Sequence, residues 1–368
     1  MTRISTISTV LLVLIGLAAT TPSAEARQFK KPAYYPDGTL AWGVITADFN
    51  DDGNLDLITG DFDNSKVYVF LGKGDGTFQK PLISDIPSPS ALAVGDFNGD
   101  HIPDFAVVEG RSTLAIYLSN GNGTFRNSAN YSLGSGLAGG LVVADFNGDG
   151  HPDIAVTNEI EGSVMVFFGK GNGKFREPVK YTLPNYPYGI TAGDFNGDHH
   201  PDLVVTESGG NGAIAILMND GQGHFKLTAT YDTPSNEPVG VVVAALKNGG
   251  NLALIVSCYG GIAVFPGNGD GTFGAPTLYS TNVIGAQDSV VADFNGDGNL
   301  DVATATVGFV GSLFYGNGDG TLQKAVPIKL RQGEGGTTTL VTADFNNDGF
   351  PDLAIGVSPD LAVLLNAK

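Results

Sequence analysis

The sequence predicts an all-β protein: a seven-bladed β-propeller of four-stranded antiparallel blades, with the last blade closed by the N-terminal strand. Three observations predict it. The tripeptide Asp-Phe-Asn begins at residues 48, 96, 145, 194, 293 and 344, so its intervals are 48, 49, 49, 99 and 51, and the interval of 99 is two periods. Each unit contains four short apolar or alternating runs separated by turn residues, and four strands in about 40–50 residues is the pattern of a propeller blade. The two chain ends hold complementary fragments: "QFKKPAYYP" reads as a fourth strand, and the last unit stops after its third, "LAVLLN". Joining them removes the terminal repeat that an open array must cap. A parallel β-helix would need much shorter coils.

Residues 1–26 read as a secretory signal peptide. Arg3 supplies the positive start, Val10 to Ala19 a short apolar run, and Ala24-Glu25-Ala26 a small-x-small cleavage site. The mature chain, 27–368, is then expected outside the cytoplasm: secreted, periplasmic or on the cell surface, with no stable membrane insertion after cleavage. The single cysteine, Cys258, excludes an intrachain disulfide and reads as a small buried apolar residue. Fifty-three glycines and only 15% charged residues suit tight turns and short strands.

Within a unit the elements follow in a fixed order. A first strand such as "GVITADF" runs into an acidic loop, and a second such as "LDLITG" leaves it. A variable turn leads to a third, "KVYVFLG", then a glycine-rich hairpin, "GKGDGTF". The fourth strand often carries proline, as in "FQKPLIS", which suits an edge because proline donates no ladder hydrogen bond. The phenylalanine after each leading aspartate (Phe49, Phe97, Phe146, Phe195, Phe294 and Phe345) reads as blade packing.

The acidic loops follow D-x-N-x-D-[GH]-x-x-D, and this spacing suits a hard cation. Oxygen side chains at positions one, three and five converge, the seventh residue offers its carbonyl, and the ninth adds a carboxylate. The candidate ligands are Asp48, Asn50, Asp52, Asn54 and Asp56; Asp96, Asn98, Asp100, Ile102 and Asp104; Asp145, Asn147, Asp149, His151 and Asp153. In the later units they are Asp194, Asn196, Asp198, His200 and Asp202; Asp293, Asn295, Asp297, Asn299 and Asp301; Asp344, Asn346, Asp348, Phe350 and Asp352. Position six is glycine in four loops and His101 or His199 in the other two, where strain is expected. An EF-hand would need glutamate at position twelve and flanking helices; Thr59 and Val156 stand there instead, between strands. Magnesium would retain more water.

The charge supports the same reading. The net charge is −19, and the 18 aspartates at positions one, five and nine account for all but −1 of it. The acidity is concentrated in the loops. No basic stripe appears, so nucleic acid is excluded as a partner. With asparagine at position three, affinity is expected near the roughly 10⁻⁴–10⁻³ M of extracellular modules.

These features resemble the FG-GAP, or VCBS-like, repeat family, the repeat of integrin α-subunit propellers. "DFNGDGHPD" at Asp145–Asp153, "DFNGDGNLD" at Asp293–Asp301 and the "GNGDGTF" turns carry the resemblance, which covers nearly the whole mature chain. It implies a seven-bladed propeller with Ca²⁺ between the first and second strands of each blade. The fifth unit departs from the pattern. It reads "AALKNGGNLALIV", with Ala245, Lys247, Gly249 and Ala253 at positions one, three, five and nine. About six structural calcium sites are therefore expected, none in the fifth blade.

Ligand recognition is expected on the opposite face, where the non-repeating loops collect. The candidates are Tyr35, Trp42, Tyr186, Tyr188, Tyr259 and Phe309, with Asp61, Asp63, Glu109, Arg111, Glu159, Glu161 and Glu207. Aromatic rings beside acids suit a glycan or a surface protein. The favoured function is an exported binding or adhesion module. The alternative is a carbohydrate lyase or hydrolase using carboxylates on that face; no Gly-x-Ser-x-Gly, His-Glu-x-x-His or cysteine-nucleophile motif occurs.

Overall fold

The computed structural model describes residues 29–366, apart from 39–40, 211, 282–284, 309 and 332–336. The expected signal segment and Phe309 lie outside the described residues.

Every described element is a strand, and the strands form seven four-stranded antiparallel sheets. Blades 1 to 6 span residues 41–85, 89–132, 138–182, 186–232, 241–279 and 286–329. In each, the strands lie in chain order. Blade 7 takes three strands from residues 337–364 and its fourth, Ala33–Pro36, from the N-terminal end, with Tyr35 opposite Leu361. Each first strand packs against the first strands of both neighbours, and blades 7 and 1 meet in the same way, so the ring closes. The first strands therefore line its centre.

The core is likewise circular. Seven apolar clusters each bridge one seam; in one, Phe97, Val108 and Leu114 of blade 2 pack on Ile154, Val156 and Phe167 of blade 3. Second strands such as Asp153–Asn158 are buried throughout, because both faces of the sheet meet a neighbour. The six loop phenylalanines are at most 4% exposed; burying a ring of this size is worth about 1.5–3 kcal/mol. In blade 5, Leu246 fills that position at 2% exposure, so the apolar frame outlasts the acids. Cys258 is buried and free, and burial pushes its thiol up to about 12.

In six blades the first strand carries a register shift near its start; blade 5 does not share it. Such a bulge re-aims a side chain. Trp42 and Tyr188 sit in two of these bulges, each followed by glycine. The glycine is needed at Gly189, where a Cβ would lie 2.1 Å from the Val239 carbonyl oxygen of the next blade.

Candidate functional site

In the first acidic loop the polar groups are tied together as follows. Asp48 accepts the backbone N–H of Asp52 on Oδ1 (3.1 Å) and that of Gly53 on Oδ2 (2.8 Å). Asn50 Oδ1 accepts the same Asp52 N–H, and its amide donates to Asp52 Oδ2 at 3.0 Å. Asp52 Oδ1 accepts Asn54 N–H at 2.8 Å. The third, sixth and other intact loops repeat this arrangement, with minor changes of partner. Folding the chain this tightly needs left-handed backbone at position six. His101 (φ 69°) and His199 (φ 68°) adopt it where the other four loops use glycine.

The ninth position has a second role that its ligand spacing did not reveal. Asp56 is fully buried, and its two oxygens accept Phe49 N–H (3.0 Å) and Gly72 N–H (2.7 Å). It thus clamps the loop to the end of the third strand. Asp104, Asp153, Asp202, Asp301 and Asp352 make the same pair of bonds. Burial pushes Asp56, Asp104, Asp153 and Asp301 up to about 7, and Asp202 and Asp352 to about 6. The two N–H donors pull each value down, and the position-one and position-five carboxylates of the same loop push it up.

Three carboxylates of each intact loop are therefore within electrostatic reach, one of them shielded from water. Each oxygen of the buried acid still has a lone pair beyond its amide bond. This donor set is all hard oxygen, which suits calcium. Among the described residues no three acidic, histidine or cysteine side chains are gathered as a ready-made metal cluster.

The fifth loop is held by its neighbour instead. Lys247 pairs with Asp319 in a backbone bridge, Asn248 N–H donates to Gly318 O at 3.0 Å, and the Asn248 amide donates to Asn299 Oδ1 at 2.8 Å. The charge of Lys247 helps hold the exposed Asp319 carboxyl below the usual range, after the Thr321 hydroxyl and N–H. The lysine thus serves the adjacent hairpin of blade 6.

On the opposite face, two of the predicted ligand residues, Arg111 and Trp42, come together, and Tyr188 is within electrostatic reach of Arg111 and Glu159. The Arg111 guanidinium lies 5.6 Å from the Trp42 ring centre and 4.8 Å from that of Phe62, and the two rings are 5.4 Å apart. Burial raises the Tyr188 hydroxyl; Glu159 adds to the rise and Arg111 opposes it, which places both charges near that ring. Arg111 itself sits at φ 66° in the turn between the second and third strands of blade 2. The Trp42 indole N–H is buried and has no acceptor among the described residues. Phe62 was not anticipated; an aromatic residue inside the otherwise polar turn "GDFDNSK" was its signal.

The other candidates are engaged elsewhere. Glu207 is fully buried and accepts the Asn185 N–H (3.2 Å) and side-chain amide (3.3 Å). Glu161 pairs with Lys180 at 2.5 Å and accepts Ser135 N–H. Glu109 accepts the Tyr117 hydroxyl at 2.8 Å. Asp61 is buried and accepts Asn64 N–H and its amide. Asp63 is exposed in the same turn. Tyr35 packs in the seam of blades 7 and 1, 5.5 Å from Phe78. Tyr186 and Tyr259 are each 55% exposed; with Ile160 and Val307, each 60% exposed, they give this face an apolar arc across blades 3 to 6.

The architecture defines a class of protein: a closed propeller with acidic loops on one face and variable loops on the other. The chain belongs to the FG-GAP-like repeat family, whose model matches residues 48–107, 96–156, 145–205, 194–256, 248–304 and 310–355. No curated protein matches it in sequence. Among solved structures it is similar to BBS1N in complex with ARL6DN (15% identity, TM-score 0.61), over 92% of this chain and 94% of that one. It is also similar to an Agrocybe aegerita lectin specific for non-reducing terminal N-acetylglucosamine (17% identity, TM-score 0.60), over 90% of this chain and 86% of the lectin. A third, Chaetomium thermophilum Raptor, aligns over 94% of this chain but 29% of its own (12% identity, TM-score 0.63). At these identities the likeness is one of fold.

Proposed function

We propose that this protein is an exported calcium-binding propeller that acts as a binding module. Six acidic loops hold the ions, and a glycan or protein ligand docks at the mouth of the ring on the opposite face. The observation that carries the ligand reading is the Trp42 indole N–H, buried beside the Arg111 guanidinium and without an acceptor among the described residues. Leaving such a donor unpaired costs about 1–3 kcal/mol, and a ligand oxygen would recover it. The flanking rings of Phe62 and Tyr188 and the Glu159 carboxylate supply stacking surface and a hydrogen-bond acceptor. Two fold neighbours support recognition by rings of this kind, one a lectin and one seen in complex with a protein.

Calcium would be held by the side chains of positions one, three, five and nine and by the carbonyl of position seven. Bound there, it supplies the positive charge that the three carboxylates lack and pins the loop between the two inner strands. The chain's residues set the loop geometry through the hydrogen bonds described above.

A glycan array and a protein pull-down, run in calcium with the native chain and with Arg111→Ala and Trp42→Ala, test this reading. The native chain is expected to retain a ligand that both variants lose. A ligand retained by both variants would place recognition elsewhere, and turnover of a bound glycan would favour an enzyme.

A further inference from the structure

The blades are fastened to one another by a tyrosine at one register position. In five blades, the fourth-strand residue opposite the second residue of the third strand is tyrosine. The pairs are Tyr35 with Leu361, Tyr131 with Leu114, Tyr181 with Val164, Tyr231 with Ile214, and Tyr279 with Ile262. Each hydroxyl crosses to the hairpin of the next blade. Tyr131 accepts Phe175 N–H at 2.7 Å, Tyr231 accepts Phe273 N–H at 3.0 Å, Tyr279 accepts Leu322 N–H at 3.2 Å and Tyr35 accepts Phe78 N–H at 3.3 Å. Tyr181 donates to Gly223 O at 3.1 Å. The rings pack on phenylalanines of the next blade: Tyr131 lies 5.6 Å from Phe167 and 6.0 Å from Phe175.

Two blades lack the tyrosine. In blade 6, Ile328 stands opposite Gly311 and is itself buried at 5% exposure. In blade 1 the residue is Ser84, opposite Val67. The serine is too small to reach blade 2, and the seam contains a cavity of about 160 Å³. Its walls include Val67, Val69, Phe105, Tyr117 and Phe125. Tyr117 has the register of Phe167, since Phe105 faces Tyr117 as Ile154 faces Phe167. Phe125 ends the hairpin "NGNGTF" as Phe175 ends "GKGNGKF". The cavity is therefore walled by the counterparts of the two rings that Tyr131 touches one blade further on. Polar groups are present as well: Ser84 and Asp85 line the cavity, and the Tyr117 hydroxyl is fixed by Glu109 at 2.8 Å.

We propose that the seam between blades 1 and 2 is a binding site for a small phenol. The other seams show what fills this position, a p-hydroxyphenyl ring with its hydroxyl on the neighbouring hairpin. The size agrees, because an apolar cavity of about 150 Å³ takes up a single aromatic ring. This site lies in the seam and is separate from the ring mouth.

The test uses p-cresol, the tyrosine side chain as a free molecule, with the whole chain. It should raise the melting temperature saturably, by about 2 °C or more at ten times its dissociation constant. Ser84→Tyr should melt higher than the native chain without ligand and show no further shift with p-cresol. Ser84→Phe fills the same ring space and provides the blocked control should the tyrosine variant fail to fold. Toluene should bind several-fold more weakly, because it lacks the hydroxyl. Three results would overturn the proposal: no shift and no saturation-transfer NMR signal for p-cresol on the native chain, equal shifts in the native chain and a folded position-84 variant, or equal binding of toluene.

Discussion

Phe49 donates its backbone N–H to Asp56 Oδ2 at 3.0 Å, and the corresponding bond recurs in every acidic loop. The ninth acid thus fixes the residue that carries the buried phenylalanine ring. With its second bond to the end of the third strand, it ties the loop to the blade core whether or not an ion is bound. Two kinds of aspartate follow, and they separate on mutation.

Asp153→Asn should destabilise the fold by about 2 kcal/mol even in chelator, because the amide replaces one acceptor oxygen with a donor that faces a buried N–H. Asp149→Asn, at the partly exposed position five, should change the chelated melt little and weaken calcium binding. Denaturant unfolding with and without calcium checks this. Equal losses in chelator would contradict the division of roles.

The buried acids also set a pH dependence. Their folded values of about 7 or about 6 stand above the ordinary 3.8. The folded state therefore keeps protons that the unfolded chain has released. That contribution to stability is complete below the ordinary value and is lost as pH rises through the folded one. In chelator the melting temperature should fall between about pH 4 and about pH 8. Calcium requires the charged carboxylates, so it should flatten or reverse the slope. A chelated protein that becomes steadily more stable over this range would contradict the burial account.

His101 and His199 hold left-handed backbone that favours glycine. Their Nδ1 atoms lie 3.6 and 3.8 Å from Asp96 and Asp194, and both rings are almost fully exposed. Replacing both with glycine should relieve about 1 kcal/mol of strain per site, offset in part by the freer unfolded chain. A calorimetric melt of the double variant should lie above that of the native protein. A lower melt would mean that the rings contribute more than their backbone strain costs.

Arg111→Ala should remove ligand binding at the ring mouth while lowering stability by less than about 1 kcal/mol, the scale of an exposed cation–π contact. Parallel binding and melting measurements separate the two effects. A large loss of stability would make Arg111 a structural staple of blades 1 and 2.

The repeat, the closure by the N-terminal strand and the loss of acids in blade 5 were legible because they are periodic or paired in the sequence. Asp48 and Asp56 were both visible as acids, but not their division of labour, since Asp56 finds Gly72 across the sheet. Glu207 and Glu161 looked like free carboxylates because their partners stand well away in the chain, Asn185 in the loop before the blade's first strand and Lys180 in the fourth strand of its blade. Arg111 and Trp42 meet across a seam, and no spacing within one repeat encodes that distance. The seam tyrosines did leave a signal: Tyr131, Tyr181 and Tyr231 recur at intervals of 50, close to that of the loops. The fourth strands thus keep a period of their own, and in that frame Ser84 stands where blades 2, 3 and 4 carry the tyrosine.

The central claim is most directly tested by counting and placing ions. Crystals grown in calcium, analysed by anomalous scattering, should show six ions, one in each loop from Asp48, Asp96, Asp145, Asp194, Asp293 and Asp344, and none at residues 245–253. Ordered but ion-free acidic loops at millimolar calcium, or an ion in the loop of Lys247, would contradict the account.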